Sequence, residues 1–331
     1  MSKDRQTIKV PKLAVPATPA LGSPGLILPA REVTHGRRPK LWDNPTKVIP
    51  PCKVCGNTEV KHFCVPDALL GLQFFLNLRL TDGEFRGQPL VPISWVADLV
   101  PWIFGMKMYD HSHKFRGHYR FIQELVLSIT RGGMKSTFLE AMICYFLWAA
   151  PDGSEGLMAQ QSKKETIAKM VPKIIDMVEL SPILNPERYH WVGETDRPGG
   201  GDKFYRGKAR TKGELSIRVL AYRHPRELKG YRGNFAVFDE YGMVPSDQSE
   251  IAVEETFKKS VIAPEWLCIV ASTLARDSAH YQRRETTRAM EALKCPEMAP
   301  RLWSALILSV AAALTIFTNL NLSGSSLEGS I

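Results

Sequence analysis

The residues best suited to chemistry fall in three short stretches. Thr130-Arg131-Gly132-Gly133-Met134-Lys135-Ser136-Thr137 combines small residues, a lysine and two adjacent hydroxyls. Small residues let backbone N–H groups approach phosphate oxygens, and a following helix N-terminus adds partial positive charge. In such a loop Lys135 would reach the β- and γ-phosphates, and the Ser136 hydroxyl would ligate Mg²⁺. The match to G-x-x-x-x-G-K-[ST] is partial, because Ile129 and Met134 stand at its two glycine positions. Alone, the loop also reads as a basic turn capping a helix. Phe235-Ala236-Val237-Phe238-Asp239-Glu240 is an apolar run ending in two carboxylates. Nucleotide hydrolysis needs one carboxylate near Mg²⁺, the role that suits Asp239, and a second to polarise the attacking water, the role that suits Glu240. Cys268-Ile269-Val270-Ala271-Ser272-Thr273 ends in two hydroxyls that can sense a γ-phosphate and relay its loss. A lone Ser-Thr pair at a strand end is more often a turn or a cap.

The elements that must hold these residues are legible as alternating patterns. Leu125 to Ile129 reads as a buried strand ahead of the loop, and Phe138, Leu139, Met142, Ile143, Phe146 and Leu147 follow at helical spacing. Gly156 to Ala159 is a weaker strand. Ser162 with Glu165 makes a capping box. Behind it Ile167, Met170, Val171, Ile174, Ile175 and Val178 form one apolar helix face. Leu215 to Ala221, Phe235 to Phe238 and Leu267 to Ala271 are further strands. Strands alternating with helices predict an α/β domain with a mainly parallel sheet flanked by helices. Lysine loop and carboxylate pair both follow strands, at the ends where open α/β sheets bind ligands.

Composition frames this core. The 331 residues are 44% hydrophobic and 23% charged, which excludes wholesale disorder, collagen-like repeats and multi-spanning membrane architectures. A net charge of +9 favours a polyanionic partner, nucleic acid before membrane. Six cysteines are too sparse for a disulfide scaffold, and the polar N-terminus has no signal-peptide core, so a reduced cytoplasmic compartment is expected. Residues 1–51 hold nine of the 23 prolines and few apolar runs, the composition of a disordered arm. The expected division is an arm over 1–66, a helical lead-in over 67–118, the core over 119–290 and an atypical tail over 291–331. Leu302 to Leu327 contains no charge. Its 17-residue apolar stretch, Leu302 to Thr318, would span about 25 Å as a helix, short of the ~30 Å of a bilayer core. A buried or misplaced apolar helix is expected there ahead of a membrane anchor.

Two more constellations bear on partners and metals. Between Asp202 and Arg232 there are ten Lys/Arg against three acids, with Tyr205, Tyr222 and Tyr231 interleaved. Lys203, Arg206, Lys208, Arg210 and Lys212 are its candidate DNA contacts, salt-sensitive and directed at the backbone. A solvated basic face is the alternative. Cys52, Cys55, His62 and Cys64 are candidate zinc ligands: C-x₂-C is a knuckle spacing, whereas His62-x-Cys64 is tighter than the usual second pair. Free thiols in a flexible entry segment are the competing reading. Cys144, Cys268 and Cys295 fall in apolar or helical contexts and read as core. His111, His113 and His118 read as surface.

Taken together, Arg131-Gly132-Gly133-Met134-Lys135-Ser136, Val237-Phe238-Asp239-Glu240 and Ser272-Thr273 resemble the ATPase part of the large terminase subunit of tailed bacteriophages. Gly87-Gln88-Pro89-Leu90 leading to Trp95, then Phe104-Gly105 and Tyr119-Arg120, extend the resemblance to about residues 70–290. It implies a P-loop NTPase fold of the ASCE type, binding ATP and Mg²⁺ and translocating double-stranded DNA into a procapsid. It further implies a portal protein and a small terminase subunit as partners, and a homo-oligomeric ring in the host cytoplasm. By the same resemblance Arg131 helps trigger hydrolysis, Trp95 lies on the adenine side of the nucleotide, and Ser272-Thr273 couples hydrolysis to motion. Family members continue into a metal-dependent nuclease domain. Here Glu328 is the sole acid after Glu297, so no nuclease activity is expected, and the tail reads as truncated or frameshifted sequence. The competing functions are an inactive prophage remnant, a helicase-like DNA-dependent ATPase and a basic membrane-anchored binder.

Overall fold

The computed structural model describes residues 49–110, 117–129, 132–193, 202–206, 215–221, 233–245, 266–273, 279–284, 286–287 and 306–309. The proline-rich stretch before residue 49, and the tail other than 306–309, lie outside them.

The lead-in is a small α/β layer of its own. Strand β1 (Lys61–Phe63) runs into helix α1 (Val65–Asn77), and helix α2 (Ser94–Gly105) runs directly into β2 (Met106–Asp110) and then β3 (Gly117–Arg120). These strands form an antiparallel sheet in the order β1-β2-β3. Phe74 and Phe75 of α1 and Trp95, Leu99 and Ile103 of α2 are buried between the helices and the main domain. The expected division at residue 66 therefore falls inside α1, and that at 118 falls inside β3.

The main domain follows the predicted alternation. β4 (Glu124–Ser128) leads to α3 (Lys135–Ala149), β5 (Glu155–Gln160) to α4 (Lys163–Leu180), and then come β6 (Tyr189–Val192), β7 (Lys203–Arg206), β8 (Leu215–Ala221), β9 (Phe235–Asp239), β10 (Leu267–Ser272) and β11 (Leu306–Ser309). The sheet order is β11-β4-β10-β9-β5-β8-β7-β6. All pairings from β11 to β8 are parallel, and β8-β7 and β7-β6 are antiparallel. This is a mainly parallel α/β sheet in which one strand, β10, separates the loop-bearing strand β4 from the carboxylate-bearing strand β9.

Burial on both faces explains why the central strands read as continuous apolar runs. Leu125, Leu127, Met158, Val237 and Ile269 face the helical side. Their neighbours Val126, Leu157, Ala236, Phe238 and Val270 face the other side, against Tyr241, Val244 and Tyr281. Alternation of successive side chains thus divides one apolar strand between two cores. α3 is buried around most of its circumference and has no clear polar face, as befits a helix between the sheet, α1 and α4. α4 is half exposed, and Ser162 caps it by accepting from the Glu165 N–H at 3.1 Å.

The tail departs from expectation. Leu306–Ser309 is not helical but a strand paired in parallel with β4, Leu306 opposite Leu125 and Ser309 opposite Ser128. A short apolar run cannot be assigned to helix or strand by periodicity alone, and the open edge of β4 supplies backbone partners that favour the strand. Among the described residues no helix is long and apolar enough to cross a membrane.

Candidate active site

Four neighbouring strands each end on a buried polar side chain: Ser128 on β4, Ser272 on β10, Asp239 on β9 and Gln160 on β5. Register places Ser272 opposite Ser128 and Asp239 opposite Ala271, so the four form a row along the carboxyl edge of the sheet. Each terminates an apolar strand, so the polar group sits at the rim of the core while its predecessors anchor it.

Asp239 is the hub of that row. Its Oδ1 accepts from the Lys135 ammonium and, at 2.8 Å, from the backbone N–H of Glu240. Its Oδ2 accepts from Gln160 Nε2 at 3.0 Å. Three donors, one of them charged, fix the carboxylate in a single orientation. Lys135 is the first residue of α3, which packs on β8, β9 and β10. The helix therefore carries the lysine from the end of β4 past β10 to β9.

The loop itself is tightly wound. Gly132 has φ +81°, and Met134, immediately before α3, has φ +59°. Both are left-handed, the conformation that glycine adopts without penalty and a side chain disfavours. This gives a backbone reason for the glycine that the general pattern has where this chain has Met134. Thr130 and Arg131 lie outside the described residues. Trp95 supports the loop from below: its indole N–H donates to the Gly133 carbonyl at 3.2 Å, and its ring lies 5.2 Å from that of Phe138.

A cleft of about 510 Å³ opens beside these groups, lined among others by Ser136, Glu140, Gln160, Asp239 and Glu240. That is within the size range of small-molecule sites. Glu240 also has a left-handed backbone, φ +56°, and is exposed while Asp239 is buried. The turn after β9 thus points one carboxylate inward and leaves the next accessible. The oxygen-rich lining from Ser136, Gln160 and Asp239 suits a hard cation such as Mg²⁺. Gln160 Oε1 is buried without a hydrogen-bond partner among the described residues.

Several participants escaped sequence reading. Glu140, one turn after Ser136, is buried, and burial pushes its carboxyl up to about 7, with Asp82 and Asp239 adding to the rise and Lys173 opposing it. Gln282 donates to Ser128 Oγ at 3.2 Å and lies within 3.5 Å of the Ser272 carbonyl. Thr286 meets Ser128 Oγ at 3.0 Å. Gly242 fits against this cluster so closely that an added Cβ would lie 2.8 Å from Ser272 Oγ. Ser272 is buried, and its carbonyl accepts from the Ile129 N–H at 3.0 Å. Thr273 follows it at the strand end. A polar residue closing each apolar run was the available signal for Ser128 and Gln160. Gln282 has no local signature.

The basic stretch is only partly described, and one member is reassigned. Arg206, a candidate DNA contact, is buried and caps the C-terminus of α3. It donates to the carbonyls of Leu147 at 2.9 Å, Trp148 at 2.8 Å and Ala150, and pairs with Asp152 at 2.9 Å. A helix end needs such donors for its last carbonyls, and the guanidinium fork supplies several at once. Lys203 is half-buried on β7. Lys208, Arg210 and Lys212 lie outside the described residues. Cys52, Cys55, His62 and Cys64 converge away from that cleft, ahead of α1.

No protein-family model matches the sequence, and no curated protein matches it. The fold does have solved counterparts. It is similar to the large terminase of bacteriophage HK97, with TM-score 0.51 and 17% identity over 75% of this chain and 44% of that one. The chain therefore spans less than half the length of that protein. It also matches the large terminase ATPase domain of Thermus phage P74-26, with TM-score 0.34 and 19% identity over 45% of this chain and 59% of that one. A third match is the large terminase of a thermophilic bacteriophage in complex with ATP-gamma-S, with TM-score 0.38 and 10% identity over 57% of this chain and 39% of that one. The HK97 likeness shows a shared α/β fold over the matched part of the two chains.

Proposed function

We propose that this chain is the ATPase region of a phage large terminase, coupling Mg²⁺-dependent ATP hydrolysis to movement of double-stranded DNA into a procapsid. The observation that carries the reading is the ion pair of Lys135 with Asp239, which joins the phosphate loop to the carboxylate strand across β10. Lys135 and the N–H groups opening α3 would hold the phosphates. Ser136 and Asp239 would hold Mg²⁺, which when bound offsets the charge developing on the phosphoryl oxygens. Glu240, exposed in the cleft beside Asp239, would accept a proton from the attacking water. Arg131 would act as the trigger, and Ser272-Thr273 would pass the change at the phosphate to the sheet edge. The portal protein, the small terminase subunit and further copies of the chain in a ring are the proposed partners, in the host cytoplasm.

The test is Mg²⁺-dependent ATP hydrolysis by the full chain and by Glu240→Gln, each with and without duplex DNA. Wild type should turn over, and the variant should bind nucleotide but slow by at least ~10²-fold. Equal turnover by the two removes the assignment of Glu240. No nucleotide binding by wild type overturns the reading.

A further inference from the structure

We propose that Cys52, Cys55, His62 and Cys64 form a structural zinc site that staples the entry segment onto the lead-in layer. The reading goes beyond nucleotide chemistry and does not depend on it.

The four side chains come from two pieces of chain with different geometry. Cys52 and Cys55 lie on one turn, closed by the Gly56 N–H donating to the Cys52 carbonyl at 2.8 Å and the Cys52 N–H to the Asn57 carbonyl at 2.7 Å. His62 is the central residue of β1, and Cys64 immediately precedes α1. The tight His62-x-Cys64 spacing counts against a site only if both residues lie in a loop. On an extended segment residues two apart share a face. His62 and Cys64 are both buried, while Lys61 and Phe63 between and beside them are exposed. The strand therefore aims imidazole and thiol at the same point, and the Cys52–Cys55 turn closes over it.

One ligand atom from each residue lies within 4.8 Å of all the others. A tetrahedral zinc with Zn–S of about 2.3 Å needs sulfur atoms about 3.8 Å apart, so small side-chain adjustments complete the geometry. Three thiols at this separation remain free cysteines. His62 supplies an independent observation. It is 5% exposed, and among the described residues neither ring nitrogen has a partner in good hydrogen-bond geometry, the Glu59 backbone lending the ring only weak support. Buried polar groups are nearly always paired, and a metal would satisfy this one. Nearby, the His118 ring packs edge-on at 4.8 Å from that of His62 and bonds the Pro50 carbonyl at 2.9 Å, fixing the strand that backs the site. Three thiolates and one imidazole are a soft donor set of the kind that holds zinc in closed, four-coordinate sites.

The experiment measures zinc in the full chain purified without chelator, and repeats it on Cys55→Ser, His62→Ala and His62→Cys. Wild type should carry about one zinc per chain. Cys55→Ser and His62→Ala should lose it, and His62→Cys should keep it, because four thiolates also form a closed zinc site. Cobalt added to metal-free wild type should give tetrahedral bands with thiolate charge transfer, a reading that needs no variant to fold. Wild type without zinc and without that cobalt spectrum overturns the proposal. So does zinc retained equally in wild type and both loss variants. Neither result touches ATP hydrolysis, so failure here is separable from failure of the nucleotide reading.

Discussion

The ammonium of Lys135 and the carboxylate of Asp239, 104 residues apart in sequence, are in direct contact at the carboxyl edge of the sheet. One belongs to the proposed phosphate loop and the other to the strand that would hold Mg²⁺, so the contact links two halves of the proposed nucleotide site.

That contact makes the two residues unequal on mutation. Lys135→Ala should abolish measurable nucleotide binding, because among the described residues no other cation takes the helix-start position. It also leaves Asp239 buried without its charged partner, so the variant should lose stability. The double variant Lys135→Met with Asp239→Asn should recover part of that stability without recovering binding. Fluorescent-nucleotide titration and thermal melts distinguish the two effects.

Met134 predicts an inverted preference. In a helix interior alanine outranks glycine. At φ +59° the order should reverse, with Met134→Gly more stable than Met134→Ala by about 1 kcal/mol. Chemical denaturation of the pair checks it. Comparing two truncations cancels the packing lost with the methionine side chain.

Glu140 predicts a pH dependence. Its carboxyl sits at about 7 in the folded chain against an ordinary 4.5, chiefly through burial. The native state therefore holds a proton that the unfolded chain releases between those values, and stability falls as pH rises through that window. Glu140→Gln should remove this loss. Relative to wild type the variant should gain on the order of 2–3 kcal/mol between pH 4 and pH 8, measured by denaturation at both.

Arg206 separates a structural role from a nucleic-acid one. Arg206→Ala should cost roughly 2–4 kcal/mol by unpairing the last carbonyls of α3. Arg206→Lys should recover little, since an ammonium cannot reproduce the fork. At a temperature where the variants stay folded, the salt dependence of DNA binding should match wild type, whereas a lost phosphate contact would lower its slope.

Much of the fold was readable because its strands are apolar runs bounded by polar residues, and its long helices keep regular spacing. β8 was read to the residue, and β9 and β10 each extend only one further, onto Asp239 and Ser272. These extensions carry two of the candidate site residues, where a polar residue breaks the apolar pattern while the backbone continues the strand. β2 was missed because Met106-Lys107-Met108-Tyr109 follows α2 without a break and shows no turn signal. β11 was missed because Leu306-Ile307-Leu308 lies within a continuous apolar run that fits either period. Of the site, Lys135, Ser136, Asp239 and Glu240 carry type and position in the sequence. Gln282 enters only through tertiary packing, and Arg206 exchanged solvent for a helix end that no local pattern announces.

Gly242 sets a mechanical tolerance. The turn that begins at Glu240 packs through this residue against Ser272, the Thr273 carbonyl and the Gln282 side chain, with no room for a single extra carbon. Gln282 in turn grips Ser128 at the end of the loop-bearing strand. The tips of β4, β9 and β10 are consequently meshed rather than adjacent. A residue larger than glycine there would press the Glu240 turn away from the neighbouring strand ends, as a pebble lodged between gear teeth would.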